Sequence, residues 1–179
     1  MASADDITLT ETTPMVSGDA IDALCMACTD QSCDFKPVLL QRRAVGPHDI
    51  LIDMKYCGVC HSDLHKAANH NMGETQYPCV PGHELAGVCT AVGSAVTKVK
   101  VGQHVGVGCM VDSCLDCSAC NLGEEQKCKK QVGTYSGVDN GSGRALTPCG
   151  YTLGGYTKLH VVHEHFAIII PSTYPLGQY

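Results

Sequence analysis

The sequence has no tryptophan, only two phenylalanines, and no apolar run that approaches the length of a membrane span. The longest such run near the end, residues 166–171, has the length of a strand, so we expect no membrane partner. The twelve lysines and arginines are scattered apart from short clusters, and eighteen acidic residues bring the formal net charge to −6. A nucleic-acid partner is not expected either, because the sequence contains no basic patch or stripe.

A secretory leader is not expected either. The N-terminus is acidic and no apolar segment follows it; residues 1–19, without periodicity and with few large apolar side chains, predict a mobile tail. The thirteen cysteines are odd in number, and several are separated by two residues, which suits metal binding better than disulfide pairing. These features favour a reduced, cytoplasmic setting, while an oxidised cysteine-rich protein stays open as the alternative.

Helix-period patterning is nearly absent, so the sequence predicts a mainly β fold. Strands are predicted at residues 50–56, within 85–107, at 155–162 and at 166–170. In the second of these stretches β-branched residues alternate with small ones and glycines recur, which favours strongly bent strands in a small barrel. A short helix is predicted at residues 62–69 with Ser62 as its cap, and residues 132–152 are predicted to form a loop.

The most specific signal is a cysteine-rich loop at residues 108–130. Its cysteines follow the pattern C-x2-C-x2-C-x7-C and are Cys114, Cys117, Cys120 and Cys128. Two-residue gaps allow a tight loop to turn several thiolates onto one point, and the longer gap allows the loop to return and close a tetrahedron. Four thiolates in a tetrahedral array are the ligands of a structural zinc ion, so the loop predicts such a site.

A second possible metal site consists of Cys60 and His83. A thiolate and an imidazole, each with an acidic residue close in sequence, are what a catalytic zinc needs. Asp63 or Glu84 could accept the second ring N–H of His83 and fix its tautomer. A histidine beside a glutamate is more often a solvated or core pair, so the residues alone leave both interpretations open.

Two further groups favour ordinary roles over metal binding. Three cysteines near the start are interpreted as small buried or surface thiols, because a fourth ligand at suitable spacing is missing: Cys25, Cys28 and Cys33. Three histidines alternate along a predicted strand and are expected to face solvent on one side: His160, His163 and His165.

Three ordered motifs carry a resemblance to a known family. GHELAG at residues 82–87, followed by Gly93, resembles the zinc signature of the medium-chain alcohol dehydrogenases. CGVCHSDLH at residues 57–65 resembles the segment that supplies their first catalytic zinc ligand, and the cysteine-rich loop resembles their structural zinc lobe. Together with LGGY at residues 153–156, these motifs resemble the cinnamyl alcohol dehydrogenase-like branch most closely.

The resemblance implies a GroES-like, partly open β-barrel over residues 20–176, with few short helices and a zinc lobe. It also implies an NADP-dependent enzyme that interconverts primary, including aromatic, alcohols and aldehydes, and that forms a homodimer at full length. Catalytic zinc would be held by Cys60 and His83 with Glu84 beside it, and the implied catalytic residues are Ser62, Asp63, His65 and Glu84. Asp63 would orient His83, Ser62 and His65 would move the proton, His61 would lie near the phosphates of the cofactor, and Cys57 would serve packing.

Two parts of the family pattern are missing from these residues. The glycine-rich fingerprint of a dinucleotide-binding Rossmann domain is absent, and the glycines at residues 137–143 lie in a polar loop without flanking βαβ patterning. The third catalytic zinc ligand, a cysteine that the family places just after residue 179, is absent too. We therefore interpret the chain as a first domain truncated before the dinucleotide-binding domain and expect it to be inactive by itself. The alternative is a non-catalytic, structural-zinc module for binding or assembly.

Overall fold

The computed structural model describes residues 19–70, 74–139, 141 and 144–177. The predicted mobile tail, residues 1–19, lies outside these residues except for Asp19. The strands are β1 Ile21–Ala27, β2 Lys36–Arg42, β3 Asp49–Cys57, β4 Leu85–Val92, β5 His104–Val107, β6 Met110–Asp112, β7 Val132–Gly133, β8 Leu159–His163 and β9 Ala167–Ile169. The α-helices are α1 His61–Ala67 and α2 Ser118–Asn121, and short 3-10 helices span Glu125–Lys127 and Glu164–Phe166. The prediction of a mainly β fold with few short helices is confirmed.

A five-stranded antiparallel sheet in the order β8-β3-β4-β5-β9 forms the centre of the fold. The pairing of β3 with β4 shifts register after Leu51 and again after Met54. Such irregularities bend a strand and increase its twist, so the sheet curls into a partly open barrel. Ile50, Leu51 and Ile52 are each at most 1% exposed, so both faces of β3 are covered at this point.

The β1–β2 hairpin packs beside this sheet and brings the first cysteines into the interior. The backbone N–H of Met26 donates to Tyr156 O at 2.8 Å, and Cys28 and Cys79 exchange two backbone hydrogen bonds of 3.0 and 2.8 Å. Cys25 and Cys28 are buried and Cys33 is half-buried. Their interpretation as small thiols is confirmed, and all thirteen cysteines, each in the described part of the chain, are free.

Two local predictions are wrong. His160 does not face solvent: it is only 3% exposed, because β8 pairs with the buried strand β3 and that side chain points at Arg42. The histidines also do not share one strand, since β8 ends at His163 and His165 lies in the following 3-10 helix. Helix α1 begins at His61 rather than after Ser62, and its N-cap residue is Cys60.

Gly154 allows two chain segments to approach closely beside the candidate site. A Cβ atom there would lie 2.4 Å from Pro81 O and 2.6 Å from Gly82 O, and backbone cannot give way easily. Gly154→Ala is therefore expected to lower the free energy of unfolding by about 1–3 kcal/mol. Urea unfolding measures this change. Gly108→Ala is the matched control, since its Cβ would meet nothing within 4 Å, and a change of equal size there would contradict the explanation.

Within the described residues, no helix combines the length and apolarity that crossing a bilayer requires.

Candidate metal centres

The first candidate centre is the four-cysteine group of the lobe, residues 108–130. Helix α2 and the 3-10 helix Glu125–Lys127 turn the loop back on itself, so that Cys114, Cys117, Cys120 and Cys128 converge. Sγ–Sγ distances are 3.8 Å for Cys114–Cys120, 3.6 Å for Cys117–Cys120 and 3.5 Å for Cys128–Cys114. Four thiolates at ~2.3 Å around a tetrahedral zinc lie ~3.8 Å apart, so these residues fit the metal.

Backbone hydrogen bonds favour the ionised form of Cys114, the form that a metal requires. The backbone N–H of Cys117 donates to Cys114 Sγ at 3.3 Å, and that of Lys130 donates to Cys128 Sγ at 3.3 Å. The pKa of Cys114 is lowered to about 6, first by the backbone N–H of Asp116 and then by that of Cys117. At neutral pH Cys114 is therefore a thiolate before any metal arrives.

The second candidate centre brings together the three residues predicted from the sequence. The ligand atoms of Cys60, His83 and Glu84 all lie within 4.8 Å of one another. His83 Nε2 is 3.9 Å from Glu84 Oε1. A thiolate, an imidazole and a carboxylate form a donor set that zinc accepts, and these separations leave room for an ion at the centre.

Asp63 joins the two loops that carry these ligands. This carboxylate is 2% exposed, and it accepts the backbone N–H of Cys60 at 2.8 Å and that of Gly82 at 3.0 Å. It also accepts the hydroxyl of Tyr156 at 3.0 Å. The start of α1 is thereby fixed against the loop that precedes β4, which sets the position of Cys60 relative to His83.

Tyr135 is the functional residue that the sequence reasoning missed. Its hydroxyl is 3.2 Å from His83 Nδ1 and its ring stacks on the imidazole with centroids 5.5 Å apart. Asp63 Oδ1, predicted to orient His83, is 3.7 Å from the same nitrogen, which is beyond hydrogen-bonding distance. Burial raises the pKa of Tyr135, so the phenol is protonated at neutral pH. No spacing pattern points to Tyr135, which lies 52 residues from His83.

The remaining predicted residues lie on α1. Ser62 Oγ is 3.2 Å from Cys60 Sγ. His65 is exposed, its Nδ1 is 3.0 Å from that of His70, and its ring stacks on exposed His61 with centroids 4.4 Å apart. Ser62, His65, His83 and Tyr135 line one open cavity of about 570 Å³, which is large enough for a small organic substrate.

Cys57 packs as predicted. It is half-buried against the core of the curled sheet, and burial raises the pKa of its thiol to about 11, so it is protonated at neutral pH. This thiol therefore resembles a small apolar side chain more than a metal ligand.

The curled antiparallel sheet, the four-thiol lobe and the Cys–His–Glu group define a small β-barrel domain with two candidate metal centres. Comparison of the sequence with protein families agrees with this class. The family described as the alcohol dehydrogenase GroES-like domain matches residues 46–172. The chain belongs to this family, and the resemblance to medium-chain alcohol dehydrogenases is confirmed.

The relatives include cinnamyl alcohol dehydrogenases, the branch that the motifs indicated. The chain is 43% identical over 160 residues to probable cinnamyl alcohol dehydrogenase 3 of Oryza sativa, covering 89% of this chain and 42% of the relative. It is 47% identical over 152 residues to NADP-dependent alcohol dehydrogenase C 1 of Mycolicibacterium smegmatis, covering 84% of this chain and 41% of the relative. A cinnamyl alcohol dehydrogenase structure from Sorghum bicolor superposes with a TM-score of 0.79 at 40% sequence identity. The superposition covers 87% of this chain and 42% of the Sorghum chain. The chain thus spans about two fifths of the length of these proteins.

Replacing Tyr135 tests its contact with His83. Tyr135→Phe is expected to weaken zinc binding at the Cys60–His83 centre about 10–100-fold, because a ligating imidazole needs a partner for its second ring nitrogen. Zinc competition with a chromophoric chelator measures this affinity. Tyr151→Phe is the matched control, since that hydroxyl contacts Pro78 O and is not bonded to His83. Equal zinc affinity in both variants would show that the Tyr135 contact does not support the ligand.

Proposed function

We propose that the chain is the zinc-binding catalytic domain of an NADP-dependent alcohol dehydrogenase that interconverts primary, in particular aromatic, alcohols and aldehydes. The observation that carries this proposal is the convergence of Cys60, His83 and Glu84. His83 and Ser62, whose hydroxyl is 3.2 Å from Cys60 Sγ, also line a substrate-sized cavity. The names of the relatives supply the substrate class and the cofactor.

In this proposal Cys60 and His83 hold the catalytic zinc and Glu84 lies beside it. Bound zinc supplies a Lewis acid that lowers the pKa of an alcohol, and hydride transfer is the chemistry of the nicotinamide. The protein's own groups handle the proton: the Ser62 hydroxyl receives it in the cavity, and exposed His65 passes it towards solvent. His61 is proposed to contact the cofactor phosphates, and Asp63 and Tyr135 keep the ligands in place.

The four cysteines of the lobe are proposed to hold a separate zinc ion with a structural role. All four ligand positions of a closed tetrahedral site are filled by protein thiols, so no position is left for a substrate. We further propose a cytoplasmic setting and a homodimer for the full-length protein. A second candidate function, a non-catalytic zinc module, is supported by this complete lobe alone and needs no chemistry at Cys60.

The deciding experiment uses the protein with every segment encoded in its reading frame. NADPH-dependent reduction of an aromatic aldehyde is measured together with zinc content. We expect saturable reduction that Cys60→Ser abolishes, while Cys149→Ser, which changes an exposed cysteine outside the centres, leaves it unchanged. A folded, zinc-loaded protein that reduces no aldehyde would overturn the catalytic proposal and favour the zinc module.

A further inference from the structure

A small cavity lies apart from the residues of both candidate centres. Its volume is about 10 Å³, enough for one water molecule or one monatomic ion. Arg42, at the end of β2, lines it together with Arg43 and with His160 of β8. Arg42 and His160 are 2% and 3% exposed, so the cavity is bounded by buried polar side chains.

Arg42 brings a positive charge into this interior, and the described residues place no carboxylate beside it. A guanidinium group stays protonated in proteins, and burying an unpaired charge is costly. Its hydrogen bonds go to Leu153 O and, at 2.8 Å, to Gly154 O, and its nearest sulfur is Cys25 Sγ at 4.0 Å. Among the described residues no carboxylate contacts it, whereas both oxygens of Asp49 neutralise Arg43.

Around the cavity, the buried polar side-chain atoms that lack a hydrogen-bond partner are all donors. In the described part of the chain, Arg42 Nε, Arg43 Nε and His160 Nε2 are buried without a partner. His160 Nδ1 lies 3.4 Å from Arg42 Nη1 and must accept, because a guanidinium has no acceptor. Burial, then Arg42, lowers the pKa of His160 well below its usual value, so the ring is neutral and its proton is on Nε2.

We propose that this cavity binds a small monovalent anion of chloride size, held by Arg42, Arg43 and His160. An anion accepts from several donors at once and neutralises the buried charge, whereas a water molecule supplies no charge. The volume excludes polyatomic anions such as sulfate. The site would join β2, β8 and the loop at Leu153–Gly154, so the anion would contribute to the stability of the barrel wall.

Bromide tests the site directly, because it replaces chloride and scatters X-rays anomalously. Crystals of the full-length protein grown in sodium bromide are expected to show an anomalous peak between Arg42 Nε and His160 Nε2. In solution, the melting temperature is expected to rise as chloride replaces gluconate at constant ionic strength, since only the folded protein binds the ion. Water in the cavity without bromide, or melting temperatures independent of chloride, would overturn the proposal.

Variants assign the effect to the cavity. Arg42→Met is expected to weaken chloride binding at least roughly tenfold, because it removes the charge and a charge-assisted donor. The chloride dependence of the melting temperature reports this loss of affinity. Arg144→Met is the matched control, since Arg144 pairs with Asp112 and does not line the cavity, and it should keep the dependence. His160→Phe, which removes only the neutral donor, is measured in parallel in case Arg42→Met does not fold. Unchanged chloride dependence in the folded Arg42 or His160 variants would also overturn the proposal.

Discussion

Cys114→Ser is expected to release the zinc ion of the lobe and to unfold residues 108–130. A structural zinc site contributes its binding free energy to folding, so losing one of four thiolates should cost several kcal/mol of stability. The lobe has little else to hold it: α2 spans only Ser118–Asn121, and within residues 114–130 the only buried side chains are those of Cys120 and Cys128, two of the four cysteines. We expect zinc content to fall by one ion per chain, measured by mass spectrometry after gel filtration.

Cys109→Ser provides the matched control for this experiment. Cys109 belongs to the same segment, but its thiol is exposed and is not part of the four-cysteine group. The control should keep both its zinc and its thermal unfolding profile. If Cys114→Ser also kept them, the four thiols would not form a metal site, and the oxidised or metal-free interpretations of the lobe would return.

Asp63→Asn is expected to lower the free energy of unfolding by about 3 kcal/mol. The substitution removes the negative charge and replaces one of the two accepting carboxylate oxygens with an amide group that donates. The three groups that Asp63 accepts from are all donors, so the new NH2 group would face at least one of them. The same change should reduce zinc occupancy at Cys60 and His83, since the carboxylate ties their loops together. Urea unfolding and zinc content after dialysis measure the two effects.

Asp53→Asn separates this role from a general loss of negative charge. Asp53 forms a partly exposed ion pair with Lys55, and such pairs contribute about 0–1 kcal/mol. We expect its unfolding midpoint to stay close to that of the unchanged protein. Equal destabilisation by the two aspartate variants would mean that the bonds to Cys60, Gly82 and Tyr156 do not hold the site.

Much of the site was predictable because its ligands are encoded locally. Cys114 to Cys128 lie within one short loop, so their spacing alone restricts how the thiols can meet. His83 and Glu84 are adjacent, and Cys60 lies at the start of a helix that the sequence predicts to within a residue or so. The positions of β3, β4, β5, β8 and β9 followed from runs of apolar and β-branched residues, and only their ends differ. The β1–β2 hairpin and the short strands β6 and β7 were not predicted, and β7 lies at the start of the predicted loop 132–152.

The contacts between distant segments were decided by the tertiary structure. Tyr135 reaches His83 across 52 residues, Tyr156 reaches Asp63 across 93, and His160 reaches Arg42 across 118. These pairs depend on how the hairpin, the curled sheet and the connecting loops are placed together, and side-chain periodicity carries no information about that placement. His160 shows why its exposure could not be predicted from the sequence pattern. Alternation indicates which residues share a face of a strand, but their burial depends on what packs against that face. The sequence by itself therefore determined the family and the candidate ligands, and the tertiary structure determined which side chains support them.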